Sequence, residues 1–371
     1  MKAGGAPSGR RFRIVFHGGA AGDWGGASRV MFNSLRMMDR TTFEPAVLLP
    51  RPGPAAALLD GLGIRWLIWP EVPNSASAVQ RYGRVAAAVR MLRDLGADLL
   101  DVNLNFWRPP EVLAARLLRI PVVRHYHLVF PQADFFLRFS SAVTAVSQYA
   151  AQRSAFAGRR VEVIPNTVVV DRFDRASSLR PELGLTDADV VVAFVGQIRE
   201  NKGIDTFLRM AHALPSPRLR FLVVGECRDP RTFEGTYDID RLRREIGADH
   251  RVLYLGYRED VERVFRTSDI VVVPSRWGEP FGLVNIEAGA AGVPVVAMRD
   301  GGIPEVIRDG ENGLVVDVGD EAGPVAAVQR LAESPALRGQ LGRQGREIIE
   351  RQFTEAPVRR LERLHLDLLG R

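Results

Sequence analysis

Two glutamates and one lysine are the residues of this chain whose types and spacing could do chemistry. Glu279 and Glu287 stand in Pro274-Ser275-Arg276-Trp277-Gly278-Glu279-Pro280-Phe281-Gly282-Leu283-Val284-Asn285-Ile286-Glu287. The Pro-Phe-Gly turn places Glu279 in a loop at a helix entrance and Glu287 one to two turns further in. That spacing sets the two carboxylates at different depths of one cleft instead of coupling them as an acid/base dyad. The amides of Phe281, Gly282 and Leu283 become the unpaired donors of the helix N-terminus. Glu287 is either a ligand-binding group or a carboxylate that complements the helix dipole. Upstream, Gly196-Gln197-Ile198-Arg199-Glu200-Asn201-Lys202-Gly203 follows an apolar run. Lys2 and Lys202 are the only lysines, so 48 of the 50 basic residues are arginine. A bias of that size is a property of base composition in the genome, but it makes the interior lysine conspicuous. A compact ammonium ahead of a helix suits a phosphate; the alternative is an ordinary solvent-facing lysine.

Two further stretches are chemically suggestive. Gly18-Gly19-Ala20-Ala21-Gly22-Asp23-Trp24-Gly25-Gly26 follows the first apolar run and precedes an amphipathic one. Such glycines let backbone amides approach an anion, or simply make a tight turn; the spacing is neither a dinucleotide fingerprint nor a Walker A loop. His125 and His127 flank Tyr126 at the end of another run, where a histidine is either structural or faces a cleft.

Composition excludes several classes. The 371 residues, 46% hydrophobic and 25% charged, are enough for two domains with their own cores. A formal charge of +6 favours anionic partners, yet there is no long run of like charges and no basic–aromatic interleaving, which argues against a nucleic-acid reader. The lone Cys227 excludes an internal disulfide, and no histidine or cysteine cluster has metal-ligand spacing. No apolar stretch reaches membrane-spanning length, and residues 1–13 lack the apolar core of a secretory signal. The sequence thus predicts a soluble, cytoplasmic protein, with at most a peripheral contact to the cytosolic membrane face.

These residues must be positioned by alternating strands and helices. Strands are predicted at Arg11–His17, Ala46–Pro50, Ile64–Trp69, Asp98–Val102, Pro121–Tyr126 and Val143–Val146. A second series is predicted at Val190–Val195, Arg220–Val224, Val252–Leu255, Asp269–Val273, Pro294–Ala297 and Gly313–Val316. Helical spacing separates them, most clearly over Ser77–Leu95, where Val79, Tyr82, Val85, Ala86, Val89 and Leu92 recur at three and four residues. Alternation of this kind predicts an α/β protein with two Rossmann-like domains whose parallel sheets face each other across a cleft. The polar stretch 171–189 is read as the joint, giving domains 1–170 and 171–350, and 338–369 is read as two terminal helices.

The motifs in this order resemble the retaining glycosyltransferases of the family-4 type, which have the GT-B architecture. The likeness runs from Gly18 to about Phe353. Its specific part is the Glu279…Glu287 signature with Glu287-Ala288-x-x-Ala291-Gly292-x-Pro294-Val295-Val296 after it. Gly301-Gly302-Ile303-Pro304-Glu305, Asp309-Gly310-x-Asn312-Gly313, Val146-Ser147 and Ile164-Pro165-Asn166 continue it. The resemblance implies transfer of a sugar from a nucleotide-diphosphate sugar to an acceptor hydroxyl with retention, without metal or other cofactor. It implies that Lys202 binds the donor diphosphate, that Glu287 binds the ribose, and that Glu279 with the Phe281, Gly282 and Leu283 amides holds the sugar and its phosphate. Gly25 and Gly26 would form the first-domain loop over the diphosphate, His127 (favoured over His125) would be the catalytic histidine, and residues 351–371 would return to the first domain. The family commonly has arginine where this chain has Gln197, so Arg199 is expected to supply the missing cation. A saccharide, lipid-linked or small-molecule acceptor fits equally. A non-catalytic sugar-nucleotide-binding subunit, or an epimerase of the same architecture, is the alternative.

Overall fold

The computed structural model describes residues 10–18, 26–70, 72, 77–103, 110–132, 135–156 and 158–371. Its chain forms two compact units: the described residues up to Thr167 together with Glu355–Arg371, and Val168–Thr354.

The first unit is built on seven parallel strands: β1 (Phe12–His17), β2 (Phe43–Leu49), β3 (Arg65–Ile68), β4 (Leu99–Val102), β5 (Val122–Tyr126), β6 (Ala142–Ala145) and β7 (Val161–Val163). They lie in the order β3-β2-β1-β4-β5-β6-β7. The first six coincide with predicted strands. The seventh is a three-residue edge strand, Val-Glu-Val, too short to give a periodic signal. Strands such as β1, β4 and β6 are covered by helices on both faces, which is why they read as apolar runs and not as alternation.

The continuous helix expected over 77–95 is instead two helices, Ala78–Tyr82 and Val85–Leu95. Ser77 and Gln80 form a capping box at the start of the first, and Gly96 ends the second in the left-handed conformation. The break falls at Gly83-Arg84. Glycine weakens a helix interior, and the Arg84 guanidinium stacks on the Trp69 ring at 4.6 Å. Val79 and Tyr82, expected on a buried face, are therefore exposed, while Ala88, Leu92 and Leu95 enter the core.

The C-terminal helix Glu355–Leu368 belongs to this first unit. Its Leu361 and Leu364 join a core cluster with Ile14, Phe16, Phe32, Leu35 and Phe43. Glu362 accepts the Asp39 amide at 2.6 Å, tying the helix to the turn before β2.

The second unit carries β8 (Val190–Val195), β9 (Leu219–Val224), β10 (Val252–Gly256), β11 (Ile270–Val273), β12 (Val295–Met298) and β13 (Gly313–Val316). All are parallel, in the order β10-β9-β8-β11-β12-β13. The stretch 171–189 is not a free linker. It forms a short helix, Asp171–Asp174, and turns that fold onto this unit: Phe173 packs edge-on against Phe265 at 5.9 Å, and the Leu179 amide donates to Thr267 Oγ1 at 2.7 Å. The chain ends the unit with the helix Pro335–Gln352.

In each sheet the strand order reverses direction once, between β1 and β4 and between β8 and β11. A crevice opens outside the carboxyl ends of strands at such a point; the Gly25–Gly26, Lys202 and Glu279 segments follow β1, β8 and β11, and His127 follows β5.

The C-terminal helix thus completes a core that the first 167 residues do not close by themselves. Leu364→Ala is expected to destabilise the first unit by about 2–5 kcal/mol, read as an earlier transition in a denaturant or thermal unfolding curve.

Candidate active site

At the end of β8 the chain turns through Gly196 and Gln197 into a short 3-10 turn, Glu200–Lys202, and then the helix Ile204–Ala213. Gly203 makes this turn possible. Its φ is +78°, and a Cβ there would lie 2.0 Å from the Pro274 carbonyl oxygen. Only glycine lets the lysine turn approach the end of β11 so closely.

At the end of β11, Pro274–Gly282 forms the loop that leads into the helix Leu283–Ala290. Asp300, just past β12, holds this loop by its backbone: its carboxylate accepts amides from Trp277 at 3.1 Å, Gly278 at 2.9 Å and Glu279 at 3.0 Å. The Gly302 amide donates to the Glu279 carbonyl at 2.7 Å. Arg276 ties the loop to the lysine turn. Its amide donates to Asn201 O at 3.0 Å, and its guanidinium grips Asp205 at 2.9 Å and Thr206 Oγ1 at 2.8 Å.

This scaffold brings Lys202 and Glu279 together. Lys202 Nζ pairs with Glu279 Oε2, and the same oxygen accepts from Ser275 Oγ at 3.2 Å and Trp277 Nε1 at 3.1 Å. The ammonium also lies 4.8 Å from the centre of the Trp277 ring, a distance at which a cation is attracted to the aromatic face. Glu287 is buried within the following helix, 8% exposed. Phe281 is buried, Gly282 is the helix N-cap with φ +78°, and Leu283 is the first helical residue. The predicted donors thus lie at the start of this helix, four to six residues before Glu287.

Gln197 and Arg199 are placed differently from that cluster. Gln197 is exposed. Arg199 pairs by backbone with Thr236, and its guanidinium donates to the Glu234 carbonyl at 2.8 Å. That contact holds the 228–237 loop against the lysine turn.

The first-unit candidates gather at the ends of β1, β4 and β5. Gly26 is the first residue of the helix Gly26–Met37; Gly25 lies outside the described residues. Asn103 follows β4, and its Nδ2 donates to the Ala27 carbonyl at 2.9 Å. With the amide so oriented, Asn103 Oδ1 is an acceptor for His127 Nε2 at 2.7 Å. Burial pushes the His127 imidazole down to about 3, with the electrostatic effect of His125 adding to it. His127 is therefore neutral at physiological pH and offers a hydrogen bond, not a charge. His125 lies in β5 with its Nε2 2.8 Å from the buried Asp101.

Trp277, Asp300, Asp101 and Asn103 were not singled out from the sequence. Asp101 had a legible signal, a carboxylate inside the otherwise apolar Leu99-Leu100-Asp101-Val102. Asp300 had none, because the three amides it captures lie more than twenty residues earlier. Among the described residues, no group of three or more His, Cys, Asp or Glu side chains is arranged to hold a metal ion. No helix among them is long and apolar enough to cross a membrane.

Two Rossmann-like units with parallel sheets of seven and six strands define the GT-B class of fold. Residues 176–348 match the family described as "Glycosyl transferases group 1", and residues 24–172 match "Glycosyltransferase Family 4"; the chain belongs to these glycosyltransferases. It is 41% identical over 185 residues to the D-inositol 3-phosphate glycosyltransferase of Mycobacterium sp. (strain KMS), a match that spans 48% of this chain and 40% of that protein. It is 33% identical over 203 residues to the lipopolysaccharide core biosynthesis glycosyltransferase LpsE of Rhizobium meliloti, across 54% of this chain and 56% of the relative. These matches thus take in less than two thirds of the relatives' own length. Among solved structures, Anabaena Alr3699/HepE in complex with UDP and glucose shares the fold with a TM-score of 0.79 at 23% identity, over 96% of this chain and 100% of that one. A glycosyltransferase from Rickettsia africae aligns with a TM-score of 0.83 at 16% identity, over 97% and 99%.

The lowered imidazole of His127 has a measurable consequence. A histidine that stays neutral when folded but titrates near 6.5 when unfolded stabilises the fold fully above that pH. The contribution is lost progressively as pH falls from about 6.5 towards 3. His127→Gln is expected to flatten the decline of melting temperature between pH 6.5 and 4, and a slope equal to that of the unaltered protein would count against this assignment.

Proposed function

We propose that this protein transfers a sugar from a nucleotide-diphosphate sugar to an acceptor hydroxyl with retention of anomeric configuration. The observation that carries the reading is the Lys202–Glu279 cluster at the β8/β11 reversal, inside the segment that matches the glycosyltransferase family. Cleaving a sugar–phosphate bond builds negative charge on the nucleoside diphosphate. Lys202 and the amides that open the helix Leu283–Ala290 are fixed donors for that charge. The Glu279 carboxylate, now the partner of Lys202, is free to turn to sugar hydroxyls once a phosphate oxygen takes the ammonium. Glu287 would accept from the ribose. His127, neutral and with its one N–H committed to Asn103, would orient the sugar by accepting from a hydroxyl at its other ring nitrogen, and Gly25 with Gly26 would close over the diphosphate. In this mechanism a departing phosphate oxygen takes the acceptor proton, so no metal is called upon.

The curated relatives are named for D-inositol 3-phosphate and for the lipopolysaccharide core. Phosphorylated polyols and core oligosaccharides are therefore the first acceptor classes to screen, followed by lipid-linked acceptors at the cytosolic membrane face. A second reading, a subunit that binds nucleotide sugars without turning them over, is favoured by one observation. Gln197 brings no charge, and the Arg199 guanidinium is occupied by the Glu234 carbonyl.

The test is a panel of nucleotide sugars, each scored for binding by calorimetry and for transfer or donor hydrolysis. Transfer with the product anomer matching the donor supports the proposal, binding with no turnover supports the second reading, and an inverted product overturns retention. Lys202→Arg is expected to lower turnover by about 10²-fold or more despite keeping the charge; near-normal turnover would mean the lysine is incidental.

A further inference from the structure

Asp101 lies on β4 with all four strand residues buried and is itself 1% exposed. A carboxylate in such a place is costly unless paired and hydrogen-bonded. Its partners come from two other elements. Oδ1 faces His125 Nε2 on β5 at 2.8 Å, and Oδ2 faces His365 Nε2 on the C-terminal helix at 2.9 Å. Burial works to raise the Asp101 carboxyl, but the close approach of His125 and the hydrogen bond from His365 outweigh it and hold the group below the usual carboxylate range.

His365 is fully buried between the rings of Phe16 and Phe43, edge-on at 6.3 and 6.1 Å, and its Nδ1 has no hydrogen-bond partner. Nε2 therefore carries the proton donated to Asp101. Packing alone does not account for this residue. A leucine would fill an apolar slot between two phenylalanines without leaving a ring nitrogen unsatisfied. The far nitrogen of His125 is also occupied, by Thr144 Oγ1 at 2.7 Å, so this ring is pinned at both ends. It stacks on His127 at 6.2 Å with the planes 20° apart. Around these side chains is a cavity of about 30 Å³, where Asp101, Asn103, His125, His127 and Asn166 share the lining with apolar side chains such as Phe16. Asn166 is 6% exposed, and its Oδ1 has no partner. That space has room for one water.

We propose that Asp101 and His365 are positioning residues for the His125–His127 pair, so that the C-terminal helix sets the imidazole assigned above to the reacting sugar. The proposal rests on that reading for the role of His127, but the arrangement itself is testable without turnover.

The experiment uses the full chain with three variants. His365→Leu removes the donor, His365→Gln keeps an N–H in its place, and Asp101→Asn removes the charge. Four quantities are read: the imidazole nitrogen and carbon NMR signals of His125 and His127, the melting temperature, the UDP dissociation constant, and turnover with the donor found above. His365→Leu and Asp101→Asn are expected to move both sets of ring signals and to lower kcat by about 10- to 100-fold. UDP affinity is expected to stay within about twofold, because a positioning loss of this kind falls on the transition state. His365→Gln is expected to restore the ring signals and most of kcat. The proposal is overturned if folded His365→Leu leaves both rings unmoved while only its melting temperature falls. It is overturned equally if Gln and Leu lose kcat alike in proportion to lost stability. Should His365→Leu not fold, Asp101→Asn and His365→Gln decide by the same signals. If the unaltered protein turns over no nucleotide sugar, the transfer reading fails, and the ring signals alone decide this inference.

Discussion

The Asp300 carboxylate captures three successive backbone amides, and the Lys202–Glu279 cluster of the second unit depends on that grip. A loop that presents Trp277, Gly278 and Glu279 from the end of one strand has no ladder to satisfy its N–H groups. A charged acceptor from the next strand end supplies the missing partners and fixes the path of the loop. With the backbone fixed, Glu279 Oε2 falls where Ser275, Trp277 and Lys202 all reach it. Arg276 extends the same restraint sideways, joining the loop to the lysine turn through Asn201 and Asp205. The loop is therefore held by Asp300 and Arg276, through contacts apart from the Lys202–Glu279 pair itself.

The first unit solves a different problem. Its candidate histidines sit on a strand and just after it, on a rigid element, but rings on a strand end still rotate. Asp101 removes that freedom by standing in the neighbouring strand with one oxygen toward His125 and the other toward His365. The carboxylate is affordable there only because two imidazoles share it, and one of these comes from the last helix of the chain. Core closure and ring orientation are thus assigned to the same helix: Leu361 and Leu364 supply the first and His365 the second.

Much of this was legible in the sequence, because parallel strands buried on both faces announce themselves as apolar runs. Twelve of the thirteen strands could be placed that way, and β7 was missed because three half-buried residues give no pattern. The single helix expected over 77–95 failed at Gly83-Arg84, where a tertiary contact with Trp69 overrode a period that continued through the break. Glu279, Glu287 and Lys202 stood out because they lie within strand–loop–helix units whose local order fixes where they go. Asp300 and His365 did not. Their partners are distant in sequence, and a lone aspartate in a Gly-rich turn or a lone histidine on an apolar helix face looks the same with or without them.

The lysine among so many arginines acquires a geometric reason from this arrangement. Oε2 of Glu279 accepts from three donors that converge from different directions: the Ser275 hydroxyl, the Trp277 indole and the Lys202 ammonium. A spherical ammonium joins such a set as a point charge and leaves the other two contacts in place. A guanidinium prefers to engage both oxygens of a carboxylate side by side, which would turn Glu279 away from Ser275 and Trp277. The planar group would also have to share the space under the Trp277 ring that the ammonium now occupies. Charge is conserved between the two residues, but the exchange of one oxygen for another on a compact cation is not. Under the proposed transfer, in which a phosphate takes the ammonium and releases Glu279, the lysine has a use at this one position.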